Sequence, residues 1–211
     1  MNRQRDLFLT SEGDAWFTRN EAATSARDWS RDPVCVKLAA LSGKPLRVLE
    51  IGCGSGLRLE YLAKHYNHDV YGVDPSKRAV MRAIERGAEA VVSTAETLPY
   101  PDGAFDVVIF GFCLYLCDDK DLFRIGLEAD RVLANPGWML ILDFESPAPV
   151  YKPYHHLPGV KSRKMDYKLM FLWHPAYTLA SHEKFHHGNQ QWTDDPDEWV
   201  SLACLRKCLA T

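Results

Sequence analysis

The chain has 211 residues, enough for one α/β domain with a short appendage and too few for two ordinary domains. A formal charge of −3 gives no basic field for nucleic acid or anionic lipid, and 46 % hydrophobic with 25 % charged residues excludes a disordered tail or a collagen-like repeat. The longest apolar run, Val107–Cys117, falls well short of the roughly 20 residues that cross a bilayer. Residues 1–45 are polar, with Trp16, Phe17 and Trp29 set among arginines and aspartates, and read as a helical cap. Pro33 opens a helix through Val36, Leu38 and Leu41 that stops at Ser42-Gly43-Lys44-Pro45.

From Leu46 the pattern becomes regular. Arg47–Ile51 is a short apolar run ending at a glycine cluster, the mark of a buried parallel strand. A helix from Leu57 to Tyr66, a strand over Asp69–Asp74 and a helix capped by Ser76 and stopped by Gly87 follow. Ala90–Val92 and Phe105–Phe112 are the third and fourth strands. Asp119–Leu133 carries one apolar helical face, and Asn135-Pro136-Gly137 turns the chain into a fifth strand, Trp138–Leu142. This alternation predicts a Rossmann-like, doubly wound α/β sheet, mostly parallel, with helices on both faces. Prolines 147, 149, 153 and 158 predict a loop insertion at about 146–165 within a domain spanning 46–211. A short helix near Asp166–Trp173 and strands over Tyr177–Phe185 and Trp199–Arg206 complete the chain, the last two pairing antiparallel.

The informative segment is Glu50-Ile51-Gly52-Cys53-Gly54-Ser55-Gly56-Leu57. Glycines 52, 54 and 56 let the backbone turn at the strand's carboxyl end, where doubly wound sheets bind small molecules. The spacing is G-x-G-x-G, and Leu57 stands where the dinucleotide fingerprint needs its last glycine, which weighs against a nicotinamide enzyme. Asp74, at the end of the next strand, is placed to accept both hydroxyls of a ribose.

These residues resemble the class I S-adenosylmethionine-dependent methyltransferases, in particular small members like the quinone-biosynthesis enzymes. Four segments carry the resemblance in order: Glu50–Gly56, Gly72–Ser76, Thr94–Val108 and Arg131–Trp138. The resemblance implies S-adenosyl-L-methionine as cofactor and methyl transfer to an O or N nucleophile of a small molecule. It implies that Gly52, Gly54 and Gly56 line the methionine part, that Glu50 holds the turn or the cofactor's ammonium, and that Asp74 takes the ribose beside Pro75. Thr94, Ala95 and Glu96 fall in the adenine segment, with the Ala95 N–H toward the ring and Thr94 where the family often has Asp. Phe112 falls where members contact the methionine moiety, with plain core packing as its alternative. A non-catalytic S-adenosylmethionine-binding domain remains the alternative to an enzyme.

Methyl transfer needs alignment and water exclusion more than a dedicated triad. The acceptor pocket is expected between the cap, the segment Leu114–Leu116 and the loop from Tyr151 to Pro158. Tyr115, Tyr154, His155 and His156 are its base or hydrogen-bond candidates, and Arg19 is a fork for the cofactor carboxylate. His182, His186 and His187 read as an exposed edge, since His182 and His186 on one strand stand about 13 Å apart. Residues 13–20 also resemble the start of methyltransferases associated with bacterial sugar pathways. No metal site is expected, because the six cysteines lack a zinc-like pattern and suit reduced thiols. The N-terminus leads into no apolar signal core, which sets the expectation of a cytoplasmic protein without membrane or nucleic-acid partners. The oligomeric state is open.

Overall fold

The computed structural model describes residues 3–41 and 43–209; Met1, Asn2 and Ser42, the first residue of the expected helix stop, lie outside the described residues. The cap comprises α1 (Gln4–Leu7), a π-helical turn over Phe8–Glu12, α2 (Gly13–Ser25) and α3 (Pro33–Leu41). Then come β1 (Arg47–Ile51), α4 (Leu57–Tyr66), β2 (Asp69–Asp74), α5 (Lys77–Glu85), β3 (Glu89–Val92) and β4 (Phe105–Gly111). After α6 (Leu122–Val132) and β5 (Leu133–Phe144), the chain makes β6 (Val150–Pro153), β7 (Lys161–Lys164), α7 (Leu169–Leu172), β8 (Tyr177–His186) and β9 (Trp199–Lys207).

The main sheet has the order β3-β2-β1-β4-β5-β9-β8. The first five strands are parallel, and β9 inserts antiparallel between β5 and β8. Alternate side chains feed two cores, as a sheet buried on both faces requires. Val48, Val107, Ile109 and Leu140 pack under α3, α4 and α5, while Leu49, Val108, Phe110 and Ile141 pack under α6 and α7. The switch in strand order lies between β1 and β4, so the carboxyl ends of β1, β2 and β4 frame the crevice where ligands enter such sheets.

Three expectations need correction. The segment expected as a loop insertion is a two-stranded ribbon, β6 paired antiparallel with β7, and Pro153 closes it opposite Lys161. Proline fits there because the ribbon is separate from the main sheet and its outer edge needs no donor. The fifth strand starts at Leu133, and Asn135-Pro136-Gly137 is an irregularity within it, between the pairs Phe105–Leu133 and Val107–Trp138. A Cβ on Gly137 would stand 2.5 Å from the Ala134 carbonyl oxygen, so the tight detour requires glycine. The helix expected over Asp166–Trp173 shortens to α7, because Tyr167 turns into the core and its hydroxyl donates to the Arg163 carbonyl at 2.9 Å.

Candidate functional site

The glycine loop is built by three left-handed residues. Gly52, Gly54 and Gly56 have φ of 79°, 52° and 72°, where a Cβ is disfavoured. The Gly52 and Cys53 amides both donate to the Val73 carbonyl, at 2.8 and 3.1 Å, which hangs the loop on β2. A Cβ on Gly52 would meet the Cys113 Cβ at 2.6 Å, and one on Gly56 would meet the Ala83 Cβ at 2.9 Å. Gly54 has open space around it, so its requirement is conformational alone. We expect Gly52→Ala to lose cofactor affinity while the fold persists, since the strained turn costs about 1–2 kcal/mol. Thermal unfolding and calorimetry on the same sample separate the two effects.

Asp74 ties the loop to the next helix. Its carboxylate accepts the Gly54 amide at 2.9 Å and the Ser76 amide at 2.8 Å. Burial pushes its pKa up to about 6 despite those two donors. Ser76 caps α5 and donates to Asp14 of α2 at 2.6 Å, and Asp14 also accepts the Arg78 amide at 3.1 Å. A Cβ on Gly13 would meet the Phe8 carbonyl oxygen at 2.7 Å and the Ser76 nitrogen at 3.1 Å. Gly13-Asp14 is therefore the latch that seats the cap on the Pro75-Ser76 turn.

Beneath the loop lies a buried ionic group. Arg58 of α4 forms two parallel bonds to Asp32, each 3.0 Å, and a third bond to Glu50. Asp32 also accepts the Val34 and Cys35 amides, opening α3, and Trp29 stacks beneath the guanidinium at 5.5 Å. Desolvation opposes the charge on Asp32, but Arg58 holds its carboxyl below the usual range. Burial raises Glu50 to about 7, and its Oε2 has no hydrogen-bond partner. A Cβ on Gly111 would sit 2.5 Å from Glu50 Oε1, so the end of β4 leaves just enough room for this group.

Two cavities meet above the loop. The first runs past Asp74, Pro75, Thr94, Ala95 and Glu96 to Cys113 and Leu116, roofed by Arg5, Phe8 and Trp16 of the cap. The second runs from Glu50, Gly54 and Arg58 under Asn20, Arg27 and Trp29 to Tyr115, Phe144, Tyr154, His156 and His187. Trp16, Gly52, Gly111 and Phe112 line both. Phe112 has φ of 55°, an uncommon conformation for a bulky side chain, so the chain holds strain at the junction itself.

The structure thus gathers Glu50, Gly52, Gly54, Asp74, Pro75, Thr94, Ala95, Glu96, Phe112, Tyr115 and His156 around these cavities, with Gly56 just beneath the loop. It does not bring Arg19 or His155 to either. The Arg19 guanidinium bonds Glu12 and the Tyr154 hydroxyl, because Glu12 is a buried carboxylate needing a cation. His155 is exposed on the turn between β6 and β7. Of the histidines read as an exposed edge, His182 instead bonds the buried Glu145 at 2.7 Å, whereas His187 is exposed as expected and also lines the second cavity. Sequence reasoning also missed Arg58, Asp32 and Arg27. Two of them left a signal: Arg58 as a charged residue beside Leu59 and Leu62 after the glycine loop, and Asp32 as the acid just before the helix-opening Pro33.

The family model of the methyltransferase domain matches residues 49–141, the span from the glycine loop through β5. These residues belong to the class I S-adenosylmethionine-dependent methyltransferases. The chain is 37 % identical over 117 residues to a demethylmenaquinone methyltransferase of Thermus thermophilus, covering 51 % of each chain. It is 36 % identical over 107 residues to an ajmaline N-methyltransferase of Rauvolfia serpentina, covering 47 % of this chain and 36 % of that one. The chain therefore spans only about a third of the one relative and half of the other. Among solved structures, a Burkholderia thailandensis 1,6-didemethyltoxoflavin-N1-methyltransferase with bound S-adenosylhomocysteine superposes with a TM-score of 0.75 at 18 % identity, covering 97 % of this chain and 89 % of that one. This methyltransferase domain goes with S-adenosylmethionine as cofactor, and the cavities suit that molecule. The left-handed glycines leave a cradle free of side chains, Asp74 presents a carboxylate for hydroxyl donors, and the orphaned Glu50 Oε2 needs a donor such as an ammonium. Among the described residues, no helix is long and apolar enough to cross a membrane.

Proposed function

We propose that the chain transfers a methyl group from S-adenosylmethionine to an oxygen or nitrogen of a small-molecule acceptor. The observation that carries this reading is the junction of the two cavities at Gly52, Gly111 and Phe112. The first cavity has the lining for a nucleoside, with Asp74 for the ribose and Pro75, Thr94, Ala95 and Glu96 around the base. The second has charged groups near the glycine loop and aromatic ones beyond it. Bound across the junction, the cofactor supplies an electrophilic methyl group on a sulfonium.

The chain's own residues then have three tasks. Asp74 and Glu50 fix the two polar ends of the cofactor, and the glycine loop admits it without side-chain obstruction. The cap roofs the site through Phe8 and Trp16 and excludes water from it. Trp16 Nε1 donates to the Tyr115 hydroxyl at 3.1 Å, joining the cap to the segment after β4. Burial raises the Tyr115 phenol far above its ordinary value, so it serves as a neutral hydrogen-bond group rather than a base.

The test is to incubate the full chain with S-adenosylmethionine and a panel of small aromatic and aliphatic hydroxyls and amines, and to measure S-adenosylhomocysteine released. Acceptor-dependent release supports an enzyme. Tight cofactor binding with no release across the panel would favour a binding module that uses the same fold.

A further inference from the structure

The far wall of the second cavity is an aromatic cluster carrying a histidine that the sequence suggested lay on an exposed edge. His187 follows β8, anchored by its amide to the Glu198 carbonyl at 3.0 Å. Its ring packs on Phe144 at 5.1 Å and edge-on against Phe112 at 6.3 Å, and Tyr115 closes on Phe144 at 5.0 Å. The rest of the ring is exposed, and its nitrogens make no hydrogen bond among the described residues. Two other titratable groups here are committed elsewhere: Glu50 is bonded to Arg58, and Tyr154 donates to Glu12 at 3.1 Å. His156 packs on Tyr154, with ring centres 5.3 Å apart. Two cations overlook the cluster, Arg27 at 5.8 Å from the Phe112 ring centre and Lys164 at 5.2 Å from that of Phe144.

We propose that the acceptor is a flat aromatic molecule with an acidic hydroxyl, seated against Phe112 and Phe144, and that His187 is the catalytic base that takes its proton. The proposal rests on the methyl-transfer reading above. Aromatic faces select a flat ring, and the cations oppose an ammonium while favouring an oxygen that gains negative charge. The acceptor oxygen gains the methyl carbon and gives its proton to a ring nitrogen of His187, while the sulfur keeps the electron pair of the bond it loses. Positive charge thus moves from sulfur to imidazole, and water removes the proton at the exposed edge. The charged groups facing His187 are Arg27, Lys164, Glu198 and His186; desolvation first, then Arg27, hold it below the ordinary histidine value and therefore neutral at pH 7.

The test uses the full chain with ring-labelled histidine, S-adenosylhomocysteine bound and phenol as probe, because its hydroxyl stays protonated across the histidine titration. The expected result is a His187 NMR signal that titrates below ordinary histidine and shifts when phenol is added. His187→Gln, with His187→Asn as a second variant, should keep S-adenosylhomocysteine affinity within about 2-fold. Both should lose methyl transfer to phenol by about 100-fold, together with the rise in rate as pH climbs through the His187 titration. A shift at His156 in place of His187, or an unchanged rate and pH profile in both variants, overturns the proposal. Failure to bind S-adenosylhomocysteine removes the methyl-transfer reading and this proposal with it, whereas binding without a His187 response removes this proposal alone.

Discussion

Arg58→Ala is expected to lower stability by about 3–5 kcal/mol, because it leaves two carboxylates buried without their cation. The side chains of Arg58, Asp32 and Glu50 are 5 %, 7 % and 3 % exposed, so water cannot replace the lost partner. The loss reaches three elements together: Asp32 opens α3, Glu50 sits in β1 and Arg58 in the first turn of α4. For a domain of this size that is a fall in melting temperature on the order of 10 °C. The pH dependence carries a sign. Glu50 has a folded pKa of about 7, raised above its ordinary value, so its contribution is full below the unfolded value and is lost as pH rises through about 7. Removing Arg58 raises Glu50 further and releases Asp32 from its lowered value, and the deficit should be smaller in mild acid than above neutrality. Urea unfolding across that range measures it. A loss under 1 kcal/mol at neutral pH would mean that the network is solvated.

Asp74→Ala is expected to weaken S-adenosylhomocysteine binding by about 1–3 kcal/mol, roughly 5- to 150-fold. Part of that loss comes through the loop, since Asp74 also holds the Gly54 and Ser76 amides. Asp74→Asn separates the two roles by keeping one acceptor while removing the charge. The sign with pH is fixed by what the ligand needs. A ribose donates hydroxyls and favours the ionised carboxylate, so affinity in the parent chain should rise as pH climbs through about 6. Asp74→Asn should flatten that rise. Calorimetry on either side of this value checks both expectations, and an unchanged affinity in folded Asp74→Ala would remove Asp74 from the ribose.

Most of the sheet was legible because each buried parallel strand announces itself locally. Arg47–Ile51, Asp69–Asp74 and Phe105–Gly111 are apolar runs closed by turn residues, and the structure places all three within a residue of the reading. The ribbon of β6 and β7 was not legible, because its prolines and polar residues carry no two-residue alternation; its pairing depends on the turn between them. The glycine loop and Asp74 were readable because glycines and a strand-end acid act through backbone geometry, which local sequence encodes. The far wall of the second cavity was less so. His187 is separated from Phe112 by most of the C-terminal half of the chain, and only the insertion of β9 between β5 and β8 brings the end of β8 over the junction. Arg19 illustrates the converse. Its chemistry suited a carboxylate, and the carboxylate it found was Glu12, seven residues earlier in the same short cap.

Cofactor binding is tested by calorimetric titration of the full chain with S-adenosylmethionine, S-adenosylhomocysteine and NADH side by side. Micromolar binding of the first two, one site per chain, and no heat from NADH are expected. Binding of NADH in their place, or binding of none of the three to folded protein, would contradict the cofactor assignment.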